Sequence, residues 1–422
     1  MSLSLDHSDQ FTSSTSQQGD LVSIIIPNFN HAQYIGDAIQ SVLVQKYRNF
    51  EIIVVDDGST DNSREVITKF GDKVKYIWQE NQGLSAARNT GIQAARGNYI
   101  GLLDADDMYE QDYLNTLMSR LKADSNAAGI YCGYQFVDHH NRSLPQVENR
   151  LILPEQLFRT LVDGNFLVPE SMFVHRYCYE NCGLFDEKLR ACEDWDMWLR
   201  ITSQYKIIGT PQVLTRHRVL LDSMSADPNR MLANRLAVLK KHFGPEQTSE
   251  KHGSSRRRRA YGRAYLTSAI EYLQTGDKVQ AYDCFRKIAL IYPDLLTQYE
   301  TFYQLGCGDQ PKGFMGDLAS LDPQRSSRIL FDMLGRIFDN PDMKAGLHNY
   351  RRPAYANAYF ALASLNYGAK RFQEARRFLF SAAIIDPRYS FKRQFVSIGL
   401  KSLLGVRLIA LIRNLRHTMI SC

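Results

Sequence analysis

Four short runs of β-branched and apolar residues, LVSIII at 21–26, FEIIVV at 50–55, VKYIW at 74–78 and YIGLL at 99–103, alternate with helix-period segments near the start of the chain. Each run is too short for a helix and apolar on both faces, which predicts central strands of a largely parallel sheet with helices on either side. The stretches between them, AQYIGDAIQSVLVQ and SREVITKF, carry apolar residues near i, i+3, i+4 and i+7, the period of crossover helices. The first half of the chain is therefore expected to be an α/β domain.

Open sheets of this kind bind ligands beyond the carboxyl ends of their strands. The informative residues should follow each run, and polar segments do: PNFN after the first, DDGSTDNS after the second, QENQGLSAARNTG after the third and DADD after the fourth. Taken singly, each also reads as turn and capping residues, since Asp, Ser and Thr cap helices and Gly ends them. Together they place four polar loops on one sheet edge. The fourth is the most demanding, because Asp104, Asp106 and Asp107 crowd the end of a buried strand. Two unit charges about 5 Å apart repel by roughly 3 kcal/mol at an effective dielectric of about 20, so the cluster needs solvent, protonation or a cation.

Beyond residue 250 the texture is helical only. AYLTSAIEYLQTGDKVQAYDCFRKIALIYPD carries Tyr272, Ala281, Phe285 and Pro293 around Gly276 at the offsets of a tetratricopeptide helix pair, and Ala363, Phe372, Ala375, Ala382 and Pro387 repeat the pattern in AYFALASLNYGAKRFQEARRFLFSAAIIDPR. Two such units so far apart are fewer than a solenoid needs, and a plain helical bundle is the alternative. The expected order is a disordered tail at 1–19, an α/β domain at 20–245, a basic linker at 246–259 containing RRRR, an all-α domain at 260–390 and a basic amphipathic helix at 391–422.

The formal net charge of +6 is concentrated at the end: no acid follows Asp386, while seven Lys and Arg residues do, leaving 44 basic against 45 acidic residues elsewhere. That pattern argues against a general nucleic-acid binder and for a local anionic contact. Leu404, Leu408, Leu411 and Leu415 share one helical face with Arg407 and Arg413 beside it, which suits a helix lying on an anionic membrane surface or, alternatively, a terminal cap on the preceding helices. The first 19 residues lack the apolar core of a secretory signal, and the seven cysteines are scattered without metal spacing, so a cytoplasmic chain with reduced thiols is expected.

Residues 21 to about 235 resemble the family 2 glycosyltransferases, inverting enzymes of the GT-A fold that use nucleotide-activated sugars. The matching motifs are VSIIIPNFNHAQYI, EIIVVDDGSTDNS, NQGLSAARNTGI, GNYIGLLDADD, CGLFDEKLRACEDWDMWLR and HRVLLDSMS. The resemblance implies a nucleotide-sugar donor, of UDP type, and a hydroxyl acceptor on a cell-surface glycan or a lipid-linked acceptor. It also implies Mg²⁺ or Mn²⁺ held by Asp106, with Asp104 near the ribose and metal-bound water, and Asp107 as a further ligand or a helix cap. Pro27 and Phe29 would form the nucleotide pocket, Asp57 would accept from the base edge, and Asp56 would brace that loop. Arg88 would sit near the ribose and phosphates, or else form a salt bridge from helix to sheet.

The inverting base is carried over to Asp194 of CEDWDMWLR, with Glu193 orienting the acceptor, Asp196 starting a helix, and Trp195 and Trp198 packing as core. One departure is His217-Arg218 where many relatives have Tyr-Arg. The alternatives to a metal contact there are a buried, hydrogen-bonded histidine, and no His follows near SMS. Ser223 and Ser225 are assigned to a loop over bound donor. A nucleotidyltransferase and a helical scaffold are the rival readings; neither explains Asp57, Asp106 and Asp194 together.

Overall fold

The four apolar runs are strands. In the computed structural model, which describes residues 20–220, 223–247 and 254–403, β1 (Val22–Asn28), α1 (Ile35–Leu43), β2 (Phe50–Asp57), α2 (Ser63–Thr68), β3 (Lys75–Gln79), α3 (Leu84–Ala94) and β4 (Tyr99–Leu102) follow in chain order. The strands lie parallel in the order β3-β2-β1-β4, with Ile24 opposite both Ile52 and Gly101. The tail through residue 19, the leucine face expected at 404–415 and Cys422 lie outside the described residues. β3 departs from the expectation of a central strand: it forms the sheet edge, and Trp78 is 55% exposed.

The chain continues through β5 (Met108–Tyr109), α4 (Tyr113–Ala123), β6 (Gly129–Val137), β7 (Ser143–Glu148), α5 (Pro154–Asp163), β8 (Met172–His175), α6 (Tyr177–Cys182), α7 (Glu193–Thr202), β9 (Ile207–Arg218) and α8 (Pro228–Phe243). Beyond β4 the sheet becomes mixed, since β8 runs antiparallel to β4 and β6, while β9 is parallel to β6 and antiparallel to β5. The two-residue β5 matters to the site. By pairing Met108 with Arg216 it fixes the DADD loop against the far end of β9.

The second half consists of α9 (Ser255–Gln274), α10 (Lys278–Ile291), α11 (Tyr299–Gly306), α12 (Pro323–Phe338), α13 (Pro341–Gly368) and α14 (Phe372–Ile385). α9 packs on α10 and α13 on α14, the two helix pairs that the alanine and proline pattern marks. The turn of the first pair needs Gly276 at φ +82°, a region costly for other residues. The arginine run differs from its reading as linker. Ser254 accepts the Arg257 N–H at 3.3 Å and caps α9, so Arg256 to Arg259 are its first turns, and Arg259 pairs with Asp163 of α5.

Nor do the halves meet through a thin neck. One continuous apolar core runs from Ile25 and Val55 under the sheet, through Trp195 and Trp198 of α7 and Val238 and Leu239 of α8, into Tyr261, Phe285 and Leu362. The opposite face of the sheet has its own core, with Ile24, Val54, Leu114 and Leu117. The six cysteines among the described residues are unpaired.

Candidate active site

The polar loops after β1, β2, β3 and β4 line a single cavity of about 820 Å³ together with the start of α7, the end of β9 and residues of the helical half. Pro27, Phe29, Asp57, Arg88, Asp104, Asp106 and Asp194 all line it, whereas Asp56 lies behind. Phe29 is 44% exposed at the cavity mouth, although it is apolar. Its loop is held by Asn30 at φ 56°, whose side-chain oxygen accepts the Thr60 and Asp61 N–H groups at 2.7 and 3.3 Å.

The two aspartates ending β2 do different work. Asp56 accepts from Ser59 N at 3.0 Å and from the Tyr76 hydroxyl at 2.8 Å, so it braces the loop. Asp57 takes Gln79 Nε2 and the Gln82 N–H on one oxygen and the Gly83 N–H on the other, at 2.7, 3.0 and 2.8 Å. It thereby ties β2 to the start of α3, and lone-pair capacity remains on its second oxygen.

Arg88 forms the helix-to-sheet salt bridge. One nitrogen donates to Asp104 Oδ1 at 2.7 Å and another to Glu193 Oε1 at 2.5 Å, with the arginine side chain 1% exposed. The guanidinium thus joins the loop after β4 to the start of α7, and Glu193, assigned above to the acceptor, is committed to this bridge. Asp194 follows Cys192, which sits in the left-handed region at φ 58°, a strained setting for a non-glycine residue. Asn165 Nδ2 donates to Asp194 Oδ2 at 2.8 Å and the Trp195 N–H to Oδ1 at 2.7 Å. Burial first, then the Glu193 charge, push its carboxyl up to about 7, against the pull of Arg88.

Asp196 points away from the cavity. It is fully buried among Arg200, Lys241 and His242 and is a structural ion centre. Trp195 and Trp198 are buried as core, Trp195 donating from Nε1 to Leu161 O at 2.7 Å.

The DADD loop answers the charge problem unevenly. Asp107 is no helix cap: β5 follows it, and its Oδ1 accepts the Arg218 N–H at 2.6 Å. His217 Nδ1 lies 3.1 Å from Asp107 Oδ2 and 2.9 Å from Glu170 Oε1, within hydrogen-bond reach of both. Burial alone would lower the His217 pKa, but Asp107 and Glu170 raise it well above its ordinary value. His217 is thus hydrogen-bonded and partly buried. Asp107, Glu170 and His217 also offer three ligand atoms within 4.8 Å of one another, a second place where an ion can be considered.

Asp106, by contrast, takes no hydrogen bond on its carboxylate among the described residues. Burial, Asp107 and Asp104 push it up to about 7. The Asp106 carboxylate, a hard oxygen donor without a cationic partner beside the Arg88-paired Asp104, fits Mg²⁺ or Mn²⁺.

Residues 23–183 match the family model described as glycosyl transferase family 2. The match places a domain of the glycosyl transferase family 2 type at residues 23–183. Among its curated relatives, the uncharacterized glycosyltransferase RP339 of Rickettsia prowazekii is 35% identical over 214 residues, 47% of this chain and 64% of that protein. Glycosyltransferase GlyA of Streptococcus pneumoniae is 45% identical over 105 residues, 24% of this chain and 15% of that one. The chain thus spans less than two thirds of the length of the first relatives it matches. The crystal structure of S. aureus TarS 1-349 in complex with UDP-GlcNAc covers 82% of this chain and 92% of that one at TM-score 0.50 and 17% identity, a likeness of fold. The architecture is accordingly GT-A-like with a helical C-terminal region.

Several residues at the cavity carried no readable signal. Asn165 and Glu170 come from a segment without motif, and Arg218, which keeps the arginine of the Tyr-Arg pattern without an assigned role, donates from Nε to Asp106 O at 2.7 Å. Lys312 reaches the cavity from the helical half.

Proposed function

We propose that this chain transfers one sugar, with inversion, from a nucleotide-sugar donor of UDP type to a hydroxyl of a cell-surface glycan or lipid-linked acceptor, with help from a divalent metal. The observation that carries the reading is one cavity in which Asp57, the Asp104–Asp106 pair and Asp194 are brought together by three separate loops. A nucleotidyltransferase would leave Asp194 without a task, and a scaffold would need none of the three. The complex of TarS with UDP-GlcNAc favours UDP as the first donor to try.

In this reading Pro27, Phe29 and Asp57 hold the nucleoside, and Asp106 holds the metal with Asp104 near the ribose and metal-bound water. The metal would supply Lewis-acid relief for charge gathering on the leaving diphosphate. Asp194 accepts the acceptor's proton as its oxygen attacks C1 from the face opposite the leaving group; a carboxyl poised at about 7 suits a general base. Asn165 aims it, and Arg88 keeps Glu193 from adding an unbalanced charge beside it. Calorimetric titration of UDP and GDP with and without Mn²⁺ tests the reading. Metal-dependent binding is expected, and binding of neither nucleotide would leave only the scaffold.

The acceptor side bears on the surface of the helical half. Phe391, Leu400 and Leu403 are exposed at 88%, 58% and 70%, close in sequence to Arg388, Lys392, Arg393 and Lys401. Apolar side chains interleaved with cations suit an anionic lipid surface. No helix among the described residues is long and apolar enough to cross a membrane, so the contact proposed is peripheral. Co-sedimentation with anionic vesicles should fall when the chain is ended at residue 390, and equal binding would end the idea.

A further inference from the structure

Lys312 lies outside the catalytic sheet, in the connection between α11 and α12, yet it lines the same cavity as Asp106, Asp107 and Arg218. That connection is firmly built. Gln146 of β7 donates its backbone N–H to the Gly313 carbonyl at 2.9 Å, and its side-chain oxygen accepts the Gly313 N–H at 3.2 Å. Gly313 sits at φ +87°, and a Cβ there would lie 2.5 Å from Leu144 Cδ1, so glycine is what permits this approach. Within the loop, Gln310 donates to Asp317 O at 2.7 Å and accepts the Gly316 N–H at 3.0 Å. The residue beside this clasp, Lys312, is thereby carried into the site.

Its ammonium is underused there. Among the described residues Nζ makes one hydrogen bond, to Ser225 Oγ at 2.8 Å, and Ser225 lies 3.1 Å from the Ser223 hydroxyl. Two of its three protons remain for a ligand. Arg218, which also lines the cavity, has its Nη2 buried without a hydrogen-bond partner. Burial lowers the Lys312 pKa, against the opposing charges of Glu271, Asp107 and Asp106. A partly buried cation whose single partner is a neutral hydroxyl gains most from a ligand that brings negative charge as well as acceptor atoms.

We propose that Lys312 binds the diphosphate of the nucleotide-sugar and offsets the charge its leaving group gains, so that the helical half completes the catalytic site. The inference rests on the glycosyl-transfer reading above and names a contact within it. During transfer the acceptor hydroxyl gives its proton to the Asp194 carboxylate, and its oxygen bonds to C1. The bond from C1 to the diphosphate oxygen breaks, its electron pair staying with that oxygen. Lys312 remains an ammonium throughout and binds the more negative oxygen more strongly than the bridging one, which is how a fixed donor lowers a barrier. Ser225, itself bonded to Ser223, holds the ammonium until the donor arrives.

The test titrates the full chain and its Lys312→Met and Lys312→Arg variants with UDP, GDP, uridine and guanosine in Mn²⁺, and follows transfer in parallel. Lys312→Met should weaken nucleoside diphosphate binding about ten- to hundredfold while leaving nucleoside binding unchanged, the range for one charge-assisted hydrogen bond. Its kcat should fall as well, and Lys312→Arg should recover most of both losses. Gln146→Ala, which touches no ligand, should loosen the clasp and give a smaller loss of the same kind. Native-like diphosphate affinity in Lys312→Met, or equal losses for nucleosides and diphosphates, would overturn the assignment. A native chain that binds no nucleotide would instead overturn the glycosyl-transfer reading, and this contact with it.

Discussion

Replacing Arg88 with methionine keeps an unbranched side chain and removes one charge that two carboxylates share. The bridge consists of two charge-assisted hydrogen bonds at 2.5 and 2.7 Å, each contributing about 1.5–3 kcal/mol. Breaking a buried ion pair from one side costs about 3–5 kcal/mol, because the remaining charge is left in a poor solvent. The cost should fall unequally. Glu193 is 7% exposed and Asp104 24%, so water can rehydrate Asp104 but barely reaches Glu193. Adding Glu193→Gln to Arg88→Met should therefore restore most of the lost stability, and adding Asp104→Asn clearly less. Urea unfolding followed by tryptophan fluorescence is well placed to measure this, since Trp195 and Trp198 lie buried in the helix that Glu193 opens. A loss below about 1 kcal/mol for Arg88→Met, the range of an exposed pair, would refute the argument. So would a larger rescue from Asp104→Asn than from Glu193→Gln.

Transfer should follow the ionised fraction of Asp194: with its carboxyl at about 7, kcat/KM should be level at alkaline pH and fall about tenfold per unit below. Release of nucleoside diphosphate measures it, and a level profile down to about pH 5.5 would remove Asp194 as the base. Asp106→Asn should abolish the gain in nucleotide affinity that Mn²⁺ brings while leaving metal-free affinity unchanged; calorimetry checks this, and a retained gain would shift the metal to Asp107, Glu170 and His217. Asp196→Asn should destabilise the fold by about 2 kcal/mol near neutrality. Although burial raises the Asp196 pKa, His242, Arg200 and Lys241 bring it down to about 2. Its contribution is thus present above the unfolded carboxyl value and lost as pH falls towards 2, where native and variant unfolding curves should converge.

What could be read from sequence was what local chemistry dictates. The four strand runs and the helix pairs around Gly276 and Ala375 follow from period and turn residues, whereas the bracing role of Asp56 came only with the family resemblance. Trp78 misled because an apolar strand reads the same at an edge as at a centre; only pairing distinguishes them. The RRRR segment reads as linker from its charge and the Gly-Ser pair before it, and only the structure shows Ser254 capping the helix that the arginines begin. Long-range partners were out of reach for a plainer reason. Arg88 and Glu193 are 105 residues apart, and His217 and Asp107 are 110 apart, so their pairing exists only once the sheet has closed. Asn165, Glu170 and Lys312 stand in segments without periodicity, and their meaning comes from the cavity they reach.

The clasp between Gln146 and Gly313 joins positions 167 residues apart. At a synthesis rate of about 5–20 residues per second, the later partner leaves the ribosome roughly ten to thirty seconds after the earlier one. The strands that precede it have that interval in which to settle with one wall of their cleft missing. The cleft is therefore open on one side until residue 313 has been made, so the cavity takes its full lining only after the sheet that floors it is complete.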